Sequence, residues 1–164
     1  YYEIYPLRNV KNKRIIIVGA GDAGFDYALN LSRCNSVCIL NRKRKAKALP
    51  LLQERVHESE NIDYVENIRI REIERKLKDG QIIVHVEKND KEFCLMCDYI
   101  LYAIGRIPQK DFYSEEFIEL ENHLIAKSRL YLTGDVKNGI YRQCAIAVGD
   151  GIYTAMSIHR KITK

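Results

Sequence analysis

The 164-residue chain contains no apolar run that approaches the roughly 20 residues needed to cross a bilayer, so no membrane is expected as a partner. Its first residues, Tyr1-Tyr2-Glu3-Ile4, lack the basic-then-apolar layout of a signal peptide, and the two absences together imply a cytoplasmic protein. Low-complexity tracts and internal repeats are missing too. With 46% hydrophobic and 30% charged residues, the composition is that of a soluble globular protein rather than a disordered one. Cysteine is sparse and unevenly spaced: Cys34, Cys38, Cys94, Cys97 and Cys144 are odd in number and form no disulfide framework, which implies free thiols in a reducing compartment. The net charge of +5 is spread along the chain except at Arg42-Lys43-Arg44-Lys45 and Lys47, so no nucleic acid partner is implied.

What is present is an ordered alternation of strands and helices. Arg14 to Gly19 reads Arg-Ile-Ile-Ile-Val-Gly, a β-branched apolar run suited to a strand buried on both faces. Asp22 to Arg33 places Phe25, Ala28, Leu29 and Leu31 at helical spacing, and Ser36 to Leu40 is a second apolar run. Strand, turn, helix and strand make a βαβ unit of the doubly wound type. Ala46 to Glu60 predicts a helix that Pro50 either interrupts or starts, and Ile62 to Val65 a short third strand. Asn67 to Lys76, Gln81 to Lys88 and Lys91 to Met96 read as antiparallel strands around turns at Asp79-Gly80 and Asn89-Asp90. Asp98 to Ile104 returns as a buried strand. A polar loop containing Pro108 is expected to run to about Asn122, followed by a short strand from Arg129 to Leu132 and a final helix from about Gln143 to Ile158.

Gly19-Ala20-Gly21-Asp22-Ala23-Gly24 matches G-x-G-x-x-G, and it directly follows a buried strand and opens a helix. In that setting the first glycine allows the tight turn, the second lets a pyrophosphate approach the backbone, and the third lets helix and strand pack closely. The helix N-terminus offers unpaired N–H groups and a positive dipole end to phosphates. The alternative is a strand-to-helix turn that binds nothing. An NAD site usually carries Asp or Glu at the end of the second strand to bind the ribose 2′-OH; here Asn41 is followed by Arg42-Lys43-Arg44. A basic cluster pairs with a 2′-phosphate that a carboxylate would repel, so the charge favours NADP(H) over NAD(H), a solvated basic loop being the bland reading.

Four segments in order now resemble one family: Gly19 to Gly24; Asn41-Arg42-Lys43-Arg44-Lys45-Ala46-Lys47-Ala48; Ala103-Ile104-Gly105-Arg106-Ile107-Pro108; and Thr133-Gly134-Asp135-Val136. The chain resembles, from about Lys13 to Ile158, the pyridine nucleotide-disulfide oxidoreductases. The nearest likeness is to the thioredoxin reductase-like branch, which includes ferredoxin-NADP reductases that lack a redox disulfide. The resemblance implies a three-layer, Rossmann-like, doubly wound parallel sheet with a small antiparallel sheet. Residues 1–128 would form the NAD(P)H-binding domain, and 129–164 would be a segment like the end of an FAD-binding domain. It also implies cofactor contacts at Gly19, Ala20, Gly21, Asp22, Ala23, Gly24, Asn41, Arg42, Lys43, Lys47, Ile104, Gly105 and Arg106. In the branch a motif H-R-R-x-x-F-R-A holds the adenosine 2′-phosphate; Arg42, Lys43 and Lys47 fall on its basic positions, while Asn41 and Ala46 depart from it. Gly134 and Asp135 match the stretch whose Asp binds the ribityl chain of FAD, with Tyr141-Arg142-Gln143-Cys144-Ala145 starting the helix aimed at the flavin ring.

Two family features are missing. Nothing before Tyr1 supplies the FAD-binding βαβ unit that starts the family's chains, so the sequence is expected to be a fragment or a degenerate relative, with FAD bound only if another chain or a lost region completes the site. No cysteine stands between Tyr1 and Val10, where thioredoxin reductases carry C-x-x-C. Cys94-Leu95-Met96-Cys97 does spell that motif, yet on a strand residues three apart face opposite sides, which suits half-buried thiols better than a redox pair. No second cysteine pair or histidine cluster completes a zinc set, and His57, His85, His123 and His159 are scattered. In the complete family enzyme a hydride passes between NADPH and FAD with the protein supplying binding and orientation, so no catalytic side chain is assigned. The rival readings are a redox-inert nucleotide-binding module and an interaction subunit. The apolar face of the last helix, with Ile146, Val148, Ile152, Ala155, Met156 and Ile158, implies a homodimer or a partner chain packed against it.

Overall fold

A computed structural model describes residues 1–76 and 80–163. The chain divides into two compact units, Tyr1–Gly105 and Arg106–Lys164, and the family-derived boundary after residue 128 falls inside the second.

The first unit is built on β1 (Arg14–Val18), α1 (Asp22–Leu31), β2 (Ser36–Leu40), α2 (Pro50–His57), β3 (Ile62–Val65) and β7 (Tyr99–Tyr102). These four strands are parallel in the order β3-β2-β1-β7. Ile15 pairs in register with Val37 on one side and Tyr99 on the other, so β1 is central, as its unbroken Ile-Ile-Ile-Val run demands. Alternation along β1 then sorts its side chains into two cores. Ile15 and Ile17 pack with Phe25, Ala28, Leu31 and Val56 on the helical side, whereas Ile16 packs with Val84, Val86 and Cys97 on the other. That second face is covered by an antiparallel sheet of β4 (Arg69–Arg75), β5 (Ile82–Lys88) and β6 (Lys91–Cys97), in the order β4-β5-β6. Helices, parallel sheet and antiparallel sheet are the three expected layers. Pro50 stands in the first turn of α2, where its missing N–H costs nothing, and the helix is shorter than expected, ending at His57. Of the expected turn at Asp79-Gly80, Asp79 lies outside the described residues.

The second unit differs from expectation at three places. The stretch read as a polar loop to Asn122 contains α3 (Glu115–Ala126), whose N-cap Ser114 accepts a hydrogen bond from the Phe117 N–H at 3.2 Å and whose first turn carries Glu115 and Glu116. A hydroxyl cap followed by carboxylates satisfies the orphan N–H groups and the helix dipole, which outweighs the polar appearance of the segment. Arg129 to Leu132, expected as a strand, is irregular: the N–H groups of Arg129 and Leu130 turn back to the Leu124 carbonyl and close the end of α3 instead of joining a ladder. The last helix, α4 (Cys144–Ile162), runs four residues past its expected end at Ile158, and Val148, Ile152 and Met156 on it are exposed. Among the described residues no helix is long and apolar enough to cross a membrane.

Replacing Ser114 with Ala removes the α3 cap. The expected loss is about 1 kcal/mol, read as faster amide exchange in the first turn of α3, and unchanged exchange there would show that the cap contributes nothing.

Candidate functional site

The glycine-rich turn sits at the carboxyl edge of the parallel sheet. The Gly19 N–H bonds to the Leu40 carbonyl at 3.0 Å and the Ala103 N–H to the Val18 carbonyl at 2.8 Å, so the ends of β2, β1 and β7 meet around it. Gly19 has φ +117, and a Cβ there would run into the Ala103 carbonyl, so both its conformation and its surroundings require glycine. A Cβ on Gly24 would collide with the carbonyl oxygen of Gly19, which is how α1 packs tightly on the turn. Gly21 is the opposite case: it is the N-cap of α1 without a side-chain cap, and a Cβ on it would meet nothing within 4 Å. Gly19 and Gly24 are therefore required by conformation and by packing, and open space lies over Gly21 between them.

Ala20 is buried and Ala23 exposed. The carboxylate of Asp22 accepts the Leu49 N–H at 2.8 Å, which ties α1 to the start of α2. A second tie joins the same elements, because the Lys47 N–H donates to the Ala20 carbonyl at 2.8 Å. The basic loop after β2 is thus fastened to the glycine-rich turn by main chain, whatever its side chains do.

Asn41 fixes the other end of that loop. It is buried, its Oδ1 accepts the Lys43 N–H at 3.0 Å, and its Nδ2 donates to the Tyr64 hydroxyl at 2.8 Å. Its backbone is bound as well, N–H to the Val65 carbonyl and carbonyl to the Ile68 N–H. The side chain is spent on the loop, so Asn41 acts as an anchor. Composition gave no hint of that role, whereas an Asx turn onto Lys43 two residues later is a signal that could have suggested it. Arg42, Lys43, Arg44, Lys45 and Lys47 are exposed, and none forms an ion pair among the described residues. A hollow of about 340 Å³ beside Arg42 is lined by Arg69, Glu87 and Asp90 as well, a mixed lining that offers a phosphate no net charge.

Ile104 and Gly105 continue from β7 at the same edge and are exposed, Gly105 with φ +88. Arg106 belongs to the second unit, where its carbonyl accepts a hydrogen bond from Arg142. Gly134 and Asp135 also lie there. Gly134 is buried at φ +71 in a single 3₁₀ turn, Gly134–Val136, and its N–H donates to the Asp150 carboxylate of α4 at 3.3 Å. Asp150 also accepts from Asn138 and, at 3.2 Å, from Lys137. The Asp135 side chain is left exposed. Cys94 and Cys97 are free thiols on opposite sides of β6, one exposed and one buried, as strand alternation requires. No group of three metal-ligating side chains is gathered among the described residues.

These layers and this turn define a Rossmann-like α/β protein. The family model described as pyridine nucleotide-disulphide oxidoreductase matches residues 3–151, and the chain belongs to that family. It is similar to the thioredoxin reductase of Rickettsia conorii, 28% identical over 167 residues that cover 94% of this chain and 54% of the relative. Thioredoxin reductase of Bacillus subtilis is also 28% identical, over 162 residues that cover 93% and 51%. Among solved structures, Lactococcus lactis thioredoxin reductase superposes with a TM-score of 0.76 at 23% identity, covering 97% of this chain and 56% of its own. The T. acidophilum enzyme gives 0.74 at 23%, covering 94% and 54%. The chain spans about half the length of the curated relatives it matches.

Two outcomes follow from the geometry. Gly24→Ala is expected to destabilise the first unit by about 1 to 3 kcal/mol in denaturant unfolding, because the backbone it meets cannot yield, while Gly21→Ala stays within about 0.5 kcal/mol; equal midpoints would contradict this packing. The Asp150 carboxyl is held below its ordinary value of 3.8 by the Asn138 and Lys137 side chains. A depressed folded-state value stabilises above the ordinary one, so the contribution is present above about pH 4 and is lost as pH falls through the folded value. The acid transition of the Gly134 turn, followed by NMR, should therefore weaken or disappear in Asp150→Asn, and an identical acid transition in that variant would contradict the role of Asp150.

Proposed function

We propose that this chain is the NADP(H)-binding part of a flavin-dependent oxidoreductase of the thioredoxin reductase type, without the redox C-x-x-C at the family position. The observation that carries the reading is the hydrogen bond from Lys47 to Ala20, which fastens a loop of unpaired basic residues to a glycine-rich turn with open space over Gly21. The residues fit the cofactor. The first N–H groups of α1, at Gly21, Asp22 and Ala23, have no side-chain cap and would hold the pyrophosphate. Arg42, Lys43 and Lys47 would hold the 2′-phosphate, and the absence of a carboxylate at Asn41 removes the repulsion that an NAD-type acid would create. Ile104, Gly105 and Arg106 would border the nucleotide, as the family likeness implies. On the flavin side, the exposed carboxylate of Asp135, presented by a turn that Asp150 braces, would take hydroxyl hydrogen bonds of the ribityl chain. When bound, NADPH supplies a hydride and the flavin accepts it, while the protein binds and orients.

Each charge-assisted bond to the 2′-phosphate contributes about 1.5 to 3 kcal/mol, so NADPH is expected to bind more than about tenfold tighter than NADH. Arg42→Ala with Lys43→Ala should remove most of that preference. Gly21→Val should weaken both nucleotides with the circular dichroism unchanged. Calorimetric titration in which NADH binds as tightly as NADPH would refute the NADP(H) reading, and an unaltered dissociation constant for Gly21→Val would leave the turn a purely structural one.

A further inference from the structure

The outer face of the antiparallel sheet carries a second arrangement of reactive groups. β5 and β6 pair with His85 directly opposite Cys94, and Cys94 Sγ lies 3.2 Å from His85 Nδ1. The other ring nitrogen, Nε2, stands 3.4 Å from Oε1 of Glu74 on β4. Three adjacent strands thus bring a thiol, an imidazole and, diagonally across from it, a carboxylate together on one face of the sheet. Nε2 is shielded from solvent and makes no hydrogen bond among the described residues, so the nearby carboxylate favours the tautomer that keeps its hydrogen there and turns the Nδ1 lone pair to the thiol. Other charged residues on this face include Glu72, opposite His85 in register, Glu87, paired with Arg71 and opposite Arg69 in register, and Glu92, two residues before Cys94.

Cys94 is exposed, and neither the glycine-rich turn nor the basic loop uses it. The other four thiols are placed differently. Burial pushes Cys38 up to about 12 and Cys97 up to about 11, which keeps both protonated and unreactive. Cys34 and Cys144 are exposed, with no imidazole bonded to them among the described residues.

We propose that Cys94 is a thiol-modification site, with His85 as its base and Glu74 as the positioning residue for the ring, and that its co-reactant is a small-molecule disulfide. The Sγ proton passes to Nδ1 as Sγ attacks one sulfur of the disulfide. The new S–S bond forms as the old one breaks; the leaving thiolate takes the electron pair and then the proton from the imidazolium. One disulfide enters, and one mixed disulfide and one free thiol result, so no further oxidant is required. Cys97 faces the other side of β6 and cannot resolve the product, which therefore persists until an external thiol reverses it.

The test treats the full chain with substoichiometric 5,5′-dithiobis(2-nitrobenzoate) at neutral pH and maps the modified cysteines by peptide mass spectrometry. Cys94 is expected to react at least about tenfold faster than Cys34 or Cys144, since the imidazole 3.2 Å away takes the thiol proton as Sγ attacks. His85→Asn should remove that advantage and leave Cys34 and Cys144 unchanged, with Glu74→Gln giving a smaller loss. A Cys94 rate equal to that of Cys34 or Cys144 in the unsubstituted protein would overturn the proposal. So would an unchanged Cys94 rate in a folded His85→Asn protein. The ranking of the three exposed thiols decides the matter even if that variant fails to fold.

Discussion

The close approach of α1 to the end of β1, at Gly24 against the Gly19 carbonyl, is the contact on which the carboxyl edge of the parallel sheet depends. A side chain at either glycine would meet backbone, of Gly19 in one case and Ala103 in the other, and backbone held in a sheet or helix has no rotamer through which to escape. Because α1 can start directly at the turn, its first N–H groups open at the carboxyl edge of the sheet. Had the helix been held off, Leu31, Ala28 and Phe25 could not reach Ile15 and Ile17, and the helical core would be lost with the site. The helical core and the open start of α1 thus rest on the same missing methyl groups.

Electrostatics enter through the loop after β2. Five exposed cations within six residues repel one another, and a free loop would spread them into solvent. Hydrogen bonds limit that freedom at both ends: Asn41, through side chain and backbone, fastens the start to β3 and Lys43, and the Lys47 N–H fastens the end to Ala20. The cations stay close to the turn without needing acidic partners, which keeps their charge available. An asparagine suits this position because it makes the loop contacts of a polar anchor without contributing a negative charge.

The parts of the fold governed by local pattern were legible in the residues. β2 and β3 have the bounds that their apolar runs suggest, β1 ends one residue before the expected Gly19, and the glycine-rich turn lies where strand and helix patterns meet. The errors came where a local signal was overruled or unseen. Charged residues masked α3, although Ser114 with Glu115 and Glu116 is a helix start. Leu130-Tyr131-Leu132 has strand-forming residues, but a strand needs a neighbour, and the N–H groups of Arg129 and Leu130 bond within the turn that ends α3. The role of Asn41 depends on Tyr64, 23 residues away, and so on the β2–β3 register rather than on its own segment.

The arrangement at Cys94 shows how much a tight turn can determine at a distance. Asn89 and Asp90 both take positive φ, 51° and 61°, as a two-residue hairpin turn requires. Once Lys88 faces Lys91, the ladder leaves no freedom: Glu87 faces Glu92, Val86 faces Phe93, and His85 faces Cys94. The same period of two that brings His85 and Cys94 together turns Cys97 inward to the Ile16 core, where desolvation keeps its thiol protonated. A C-x-x-C on a strand is therefore two unlike cysteines, one for packing and one for chemistry, and its spacing in sequence is less informative than which neighbour the sheet places across from each.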